Sequence, residues 1–409
     1  MIRKTYDNYR EILLYTIAAA FIGMIVGMID TVFGRVLLQI SEIRDNHVMK
    51  LVPFLPVAGI AIMLLYRKYS KESLKGMTLV FEAGHGERER IPKMLIPLVM
   101  VSTWITHLFG GSAGREGVAV QIGAAVTHTV GRHMKLYKNP RTLVVIGMAA
   151  GFAGLFQTPL AATFFAMEVL VAGSLLYEAL LPALAASFAA SYTSHFLGLE
   201  KFSIAVTDTL DPSAASVGKL IVLGIAFGIT GGIFAHLLGS SKKFFAKIFS
   251  DPVKRIFVMG CGLAIVLLVL HVGRYCGLGT NLIHAGFSGE KIYAYDWILK
   301  SALTILTLSA GFQGGEVTPL FSIGSSLGIV LAHLLGMPPV LIASLGYAAV
   351  FGSATNTLLA PILIGAEVFG PDNIISFVVV CSIAYVFNGD KTIYGSQKKF
   401  NYFESIQDN

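Results

Sequence analysis

The stretch "HLFGGSAGREGVAVQIG" (His107–Gly123) sets Arg115 and Glu116 among five glycines, between two apolar segments. A second stretch, "GFQGGEVTPLF" (Gly311–Phe321), sets Glu316 beside Val317, Thr318 and Pro319 in similar glycine-rich surroundings. Glycine runs inside apolar segments break helices, and the unpaired N–H groups where each helix resumes attract anions. Glu116 lies where such a helix would begin. A carboxylate there is itself an anion: ionised, it occupies an anion's place, and protonated, it leaves. That chemistry would tie a proton to an anion. The plainer reading is an ion pair with Arg115 or a helix cap, set against the expectation that an acid at membrane depth is functional.

The elements that must hold such groups are membrane spans. Of the 409 residues 55% are hydrophobic and 13% charged, with a mean hydropathy of +0.70, against roughly 25% charged in a soluble domain. Apolar runs at Ile12–Ile29, Ser216–Leu238 and Ile256–Leu270 approach the ~20 residues that cross a bilayer as helix. The first lacks the short apolar region and small-residue cleavage site of a secretory signal and reads as a retained span. Fifteen residues follow Tyr394, so the expectation is a single transmembrane domain over 1–409 with no C-terminal cytosolic regulatory domain. Basic residues cluster in Arg67–Lys75, Arg132–Arg141 and Ser241–Arg255. The positive-inside bias puts both termini and at least the first and third clusters on the cytoplasmic side of a multi-pass plasma-membrane protein. The net charge of +7 is spread over short loops with no aromatic-interleaved basic face, which argues against nucleic acid. Cys261, Cys276 and Cys381 show neither pairing nor metal-like spacing, and His107 reads as a satisfied hydrogen-bonding group. No metal or cofactor is expected.

The chain contains itself twice. Aligned without gaps, "MAAGFAGLFQTPLAATFFAMEVL" (Met148–Leu170) and "YAAVFGSATNTLLAPILIGAEVF" (Tyr347–Phe369) share Ala149/Ala348, Phe152/Phe351, Thr158/Thr357, Ala161/Ala360, Glu168/Glu367 and Val169/Val368 among others. The same shift brings "GSAGREG" within one residue of "GFQGGEV", so Glu116 and Glu316 are expected at equivalent places. Paired, interrupted apolar segments in two halves, about 11–197 and 215–400, point to a transporter site near the membrane midplane. Irregular backbone at that depth lines a polar path or is buried in protein.

"GREGV" (Gly114–Val118) resembles the GREGP element of CLC anion channels and transporters, and "GGEVTPLF" (Gly314–Phe321) resembles their second-half GxFxP element. Tyr394 in "KTIYGS" is similar to their late pore tyrosine. The resemblance covers about Glu11 to Tyr394. It implies an all-α polytopic membrane protein of CLC type, with two inverted-topology repeats of broken, tilted helices and a homodimer with one pathway per subunit. Where chloride-type members carry GSGIP, this chain reads "GMTLV" (Gly76–Val80), and Val118 stands in place of the usual proline. These departures resemble the fluoride-exporting branch. The resemblance then implies Glu116 as gating and proton-carrying glutamate, Met77 beside the anion, Thr318 as pore hydroxyl and Tyr394 as inner constriction. Gly114, Arg115, Gly117, Val118 and Val317 complete the anion path, with fluoride and protons as substrates in a lipid bilayer. The second, proton-passing glutamate of chloride/proton exchangers is missing: Glu168 is followed by Val169.

Each residue also has a bland reading. Met77 can fill core space, Thr318 can bond its own backbone, and Tyr394 can be an interfacial aromatic. Glu168, Glu367 and Glu316 read as structural partners, and Arg115 as support for Glu116. Ser112 in "GGSAG" lacks the spacing of a nucleophile loop, so no enzyme is expected. The rival in kind is a passive fluoride or chloride channel, or a chloride/proton exchanger, on the same scaffold. Val169 favours the channel, whereas Met77, "GREGV" and Thr318 together favour exchange.

Overall fold

The computed structural model describes residues 2–133, 140–211 and 213–400. The middle of the second basic cluster, residues 134–139, and the chain beyond Phe400 lie outside them, as do the side chains of 2–9, 11, 132 and 133.

The first half runs α1 (Ile2–Asn46), α2 (Val48–Leu51), α3 (Leu55–Tyr69), α4 (Met77–Gly84), α5 (Leu95–Leu108), α6 (Glu116–His133), α7 (Pro140–Phe156), α8 (Pro159–Val169) and α9 (Leu180–Phe196). The second runs α10 (Ala214–Ile248), α11 (Pro252–Val269), α12 (Thr280–Ser288), α13 (Asp296–Ala310), α14 (Val317–Leu335), α15 (Pro339–Thr355), α16 (Leu359–Phe369) and α17 (Ile374–Val386). Helix is what apolar sequence must adopt here, because hydrocarbon offers no partner for backbone N–H and C=O groups. Proline at the first helical position starts α8 and α11 without losing a hydrogen bond. Among the described residues five segments, the first Ile12–Asn46, are long and apolar enough to cross a membrane. Leu13, Leu14, Ile17 and Phe21 of α1 stay exposed, as a lipid-facing surface requires. By contrast, α7 is buried from Leu143 to Phe156 and α15 from Leu341 to Thr355. Helices apolar all round are core elements, and these two carry the centre of each half.

The halves are built alike. In the first, α6 packs on α7, α7 on α9 and α1 on α9; in the second, α14 packs on α15, α15 on α17 and α10 on α17. Glycines let the central crossings close. A Cβ on Gly147 would fall 2.8 Å from Ala124 Cα, and one on Gly346 would fall 2.9 Å from the Gly324 carbonyl carbon. Small residues at membrane-helix crossings bring backbones into contact where apolar burial supplies no drive. The two halves also cap each other. Glu168 at the end of α8 accepts from the N–H groups of Leu358, Leu359 and Ala360 at the start of α16, the last at 2.9 Å. Glu367 at the end of α16 accepts from Leu160 and Ala161 at the start of α8, at 3.1 and 2.8 Å. This reciprocity is what a two-fold relation between inverted repeats produces, and it agrees with the reading of both acids as cross-helix partners. A short parallel pair, β1 (Val171–Ala172) with β2 (Lys398–Lys399), ties the segment after α17 to the end of α8.

Candidate functional site

The two broken connections, after α5 and after α13, meet. Gly114 N–H donates to Gly315 O at 2.5 Å and Gly315 N–H donates to Gly114 O at 2.8 Å, a closed antiparallel pair. A Cβ on Gly114 would fall 2.9 Å from Pro319 Cδ, and one on Gly315 would fall 2.9 Å from the Gly117 nitrogen, so both positions require glycine. The helices resume two residues later, at Glu116 and Val317. The expected equivalence of Glu116 with Glu316 is therefore corrected: the counterpart of Glu116 is Val317, and that of Glu316 is Arg115. The register slips because 24 positions separate Glu116 from Pro140 and 22 separate Val317 from Pro339. A gapless alignment anchored on α7 and α15 cannot carry across connections of different length.

Glu116, the first residue of α6, is 1% exposed. Its carboxylate does not cap its own helix alone but reaches the start of α14. Oε2 accepts from Thr318 Oγ1 at 2.5 Å, Thr318 N–H at 3.1 Å and Arg115 N–H at 3.3 Å. Oε1 lies 3.6 Å from Arg115 Nε. One anionic oxygen thus takes the donors at two facing helix starts, where backbone dipoles favour negative charge. Thr318, Val317 and Val118 are buried around it. Thr318 bonds Glu116 through its hydroxyl and not its own backbone, and Arg115 supplies both an ion pair and an N–H.

Met77 and Tyr394 line a cavity of about 510 Å³ together with Gly314 and Glu316. Tyr394 is buried, its ring centroid 5.2 Å from that of Phe81 and 6.4 Å from that of Phe165. Lys75, Lys242, Lys243 and Arg255 also line the cavity, and Glu316 sits 3.5 Å from Lys242 Nζ. The Arg67–Asp251 ion pair at 2.6 Å ties the first basic cluster to the third, so both face one side. Of the predicted residues, Gly114, Arg115, Gly117, Val118, Val317 and Thr318 surround Glu116 at the candidate gate, and Met77 and Tyr394 line the cavity beside the basic residues.

Sequence reading used the basic clusters only for orientation and missed that they line the mouth. It also missed Gln397, whose amide donates to Val169 O at 2.9 Å and Thr355 O at 3.0 Å and so pins the turn carrying Tyr394. His107 is hydrogen-bonded as expected: its ring nitrogens lie 2.9 and 3.0 Å from the carbonyl oxygens of Thr103 and Ala113, one of which takes the N–H of the neutral ring.

Comparison with known proteins adds an independent line. A family model described as voltage gated chloride channel matches residues 58–389. The chain is 34% identical over 387 residues to a chloride/fluoride channel protein of Pseudomonas syringae pv. tomato, covering 93% of this chain and 85% of that one. It is 53% identical to a CLC-type fluoride/proton antiporter of known crystal structure, with a TM-score of 0.94 over 96% of this chain and 99% of that one. A slow cyanobacterial chloride/proton antiporter, 20% identical with a TM-score of 0.76 over 91% and 94% of the two chains, shares the fold. With its paired broken helices, its reciprocal caps and a family match across most of its length, the chain belongs to the CLC family of voltage gated chloride channels and their transporter relatives.

Proposed function

We propose that this chain is a fluoride/proton antiporter, exporting fluoride from the cytoplasm in exchange for inward protons. The observation that carries the reading is the Glu116 carboxylate held by the Thr318 hydroxyl, the Thr318 N–H and the Arg115 N–H. Ionised, Glu116 fills the anion's place. A proton arriving from outside neutralises it, weakens those charge-assisted bonds and frees the donors. Fluoride, small and strongly hydrated, needs good donors to replace its water, and a hydrogen bond to an ionised partner contributes about 1.5–3 kcal/mol. Thr318 and the two helix starts supply them, Gly114, Gly117, Val118 and Val317 shape the starts, and Met77 and Tyr394 line the inner approach. The likeness to chains named for fluoride supports this anion over chloride. The cation-lined mouth is the cytoplasmic one by the positive-inside bias, which puts export outward through the plasma membrane. The resemblance to the family supports a homodimer with one pathway per subunit.

A passive channel is the second reading, favoured by the buried, apolar Val169 where chloride/proton exchangers carry an acid. Purified protein in fluoride-loaded liposomes separates the two. Fluoride efflux matched by proton uptake, with little chloride movement, is expected of the wild type. Glu116→Gln, which mimics the protonated acid, is expected to lose proton uptake and to slow exchange at least about tenfold, the loss of one interaction of that strength. Coupled uptake persisting in Glu116→Gln would sink the mechanism, and wild-type efflux without protons would establish a channel.

A further inference from the structure

Lys300, in the middle of α13, is fully buried. An ionisable side chain at such depth is costly and keeps its place only with partners. Its Nζ donates to Gly277 O at 2.7 Å, Ser112 Oγ at 2.9 Å and Tyr275 O at 3.2 Å, the three contacts a lysine head can make. All three lie on the wall of the segment that leads to Glu116. Ser112 Oγ is also 2.9 Å from Thr304 Oγ1, and Ser112 N–H donates to Thr307 Oγ1 at 3.3 Å. Gly277 N–H donates to Gly111 O at 3.1 Å while Ala113 N–H donates to Gly277 O at 3.2 Å. One ammonium therefore joins both strands of this small ladder. Beyond it come only the Gly114–Gly315 pair, Arg115 and the gate.

Architecture does not demand this cation. The two halves share their helix contacts, yet the matching stretch of α5 is apolar, with Leu98 and Val99 where α13 has Lys300. Lys300 stands in the second half and reaches across to Ser112 in the first half's broken connection, the one that leads to Glu116. Ser112 and Lys300 have the composition of a serine–lysine hydrolase pair, but both are fully buried, and the hydroxyl is already engaged by Thr304.

We propose that Lys300 is a positioning residue for Glu116: acting through Ser112 and Gly277, it fixes the 111–114 segment so that the carboxylate meets the Thr318 donors. This rests on the antiporter reading. The experiment is the liposome assay on the intact protein, following fluoride efflux and proton uptake together in Lys300→Met, Ser112→Ala, Ser112→Thr and the double variant Lys300→Met/Ser112→Ala. A small misplacement of a reacting group costs about ten- to a hundredfold in rate. Lys300→Met is expected to lower maximal efflux about tenfold, to leave the half-saturating internal fluoride nearly unchanged, and to reduce protons taken up per fluoride. Ser112→Ala is expected to move in the same direction by less, Ser112→Thr to retain wild-type coupling, and the double variant to be no worse than Lys300→Met, because the two act in one chain. Wild-type rate and coupling in Lys300→Met, or effects of the two substitutions that multiply, would overturn the inference. If Lys300→Met is not recovered folded, the serine pair decides: Ser112→Ala equal to wild type overturns it, and reduced coupling restored in Ser112→Thr upholds it. A wild type that takes up no protons rejects the antiporter reading instead.

Discussion

At the residue scale the gate turns on where one carboxylate finds its donors. Glu116 Oε2 accepts from the Thr318 hydroxyl at 2.5 Å and the Thr318 N–H at 3.1 Å, so the threonine contributes two donors of different kinds. Thr318→Val removes the hydroxyl, keeps the branched shape and leaves the backbone donor. It is expected to weaken apparent fluoride affinity by about ten- to a hundredfold, the loss of one hydrogen bond to an ionised partner, while Thr318→Ser is expected to stay within about threefold. Concentration dependence of efflux in liposomes measures both, and unchanged affinity in Thr318→Val would remove the hydroxyl from the anion's path. The acid could be picked out in the chain as a type set among glycines, and the hydroxyl through the resemblance of its motif to the CLC element. Their bond spans 202 positions, and nothing local in either stretch predicts it.

At the scale of elements, two crossings hold the gate's helices in place: α6 on α7 and α14 on α15. A Cβ on Gly147 would fall 2.8 Å from Ala124 Cα on α6, so Gly147→Leu is expected to abolish recovery of folded protein from detergent extracts. Gly262 on α11 has nothing within 4 Å of a built Cβ. Gly262→Ala there is expected to raise stability by up to about 1 kcal/mol through helix propensity alone. Size-exclusion profiles and thermal unfolding of the two variants check this contrast, and a folded Gly147→Leu would mean the crossing can loosen. Three of the long helices, α1, α10 and α11, were legible as apolar runs. Which glycines are close contacts and which are merely tolerated was not, because "G" at Gly147 and at Gly262 reads the same until the neighbouring backbone is known.

At the scale of the whole molecule, charge from distant parts of the chain converges. Lys75 comes from the connection after α3, Lys242 and Lys243 from α10 and Arg255 from α11, and all line one cavity. A mouth whose lining charges are mostly of one sign, here four cations against Glu316, concentrates the opposite ion and raises its rate of arrival. Lys243→Glu is expected to slow fluoride efflux about two- to tenfold at low ionic strength and to have little effect near 1 M salt, where the screening length falls to about 3 Å. An effect that persists in high salt would show that Lys243 acts through structure and not through its field.

Membrane character, the two related halves, the broken segments and the residue types of the gate were all readable along the chain, because each is a local pattern of hydropathy, glycine spacing or repeated motif. The pairing of those parts was not. Two extra positions between the start of α6 and the start of α7 slide the register, so the repeat that announced two matching acids in fact sets Glu116 opposite Val317 and Arg115 opposite Glu316. Likewise Met77 and Tyr394, grouped by motif with Glu116, stand on the wall of the cavity that the basic residues line, and Lys300, in no motif, bonds the segment leading to Glu116. Local sequence settles where a helix must start and stop; contacts across hundreds of positions settle which helix start an acid answers to.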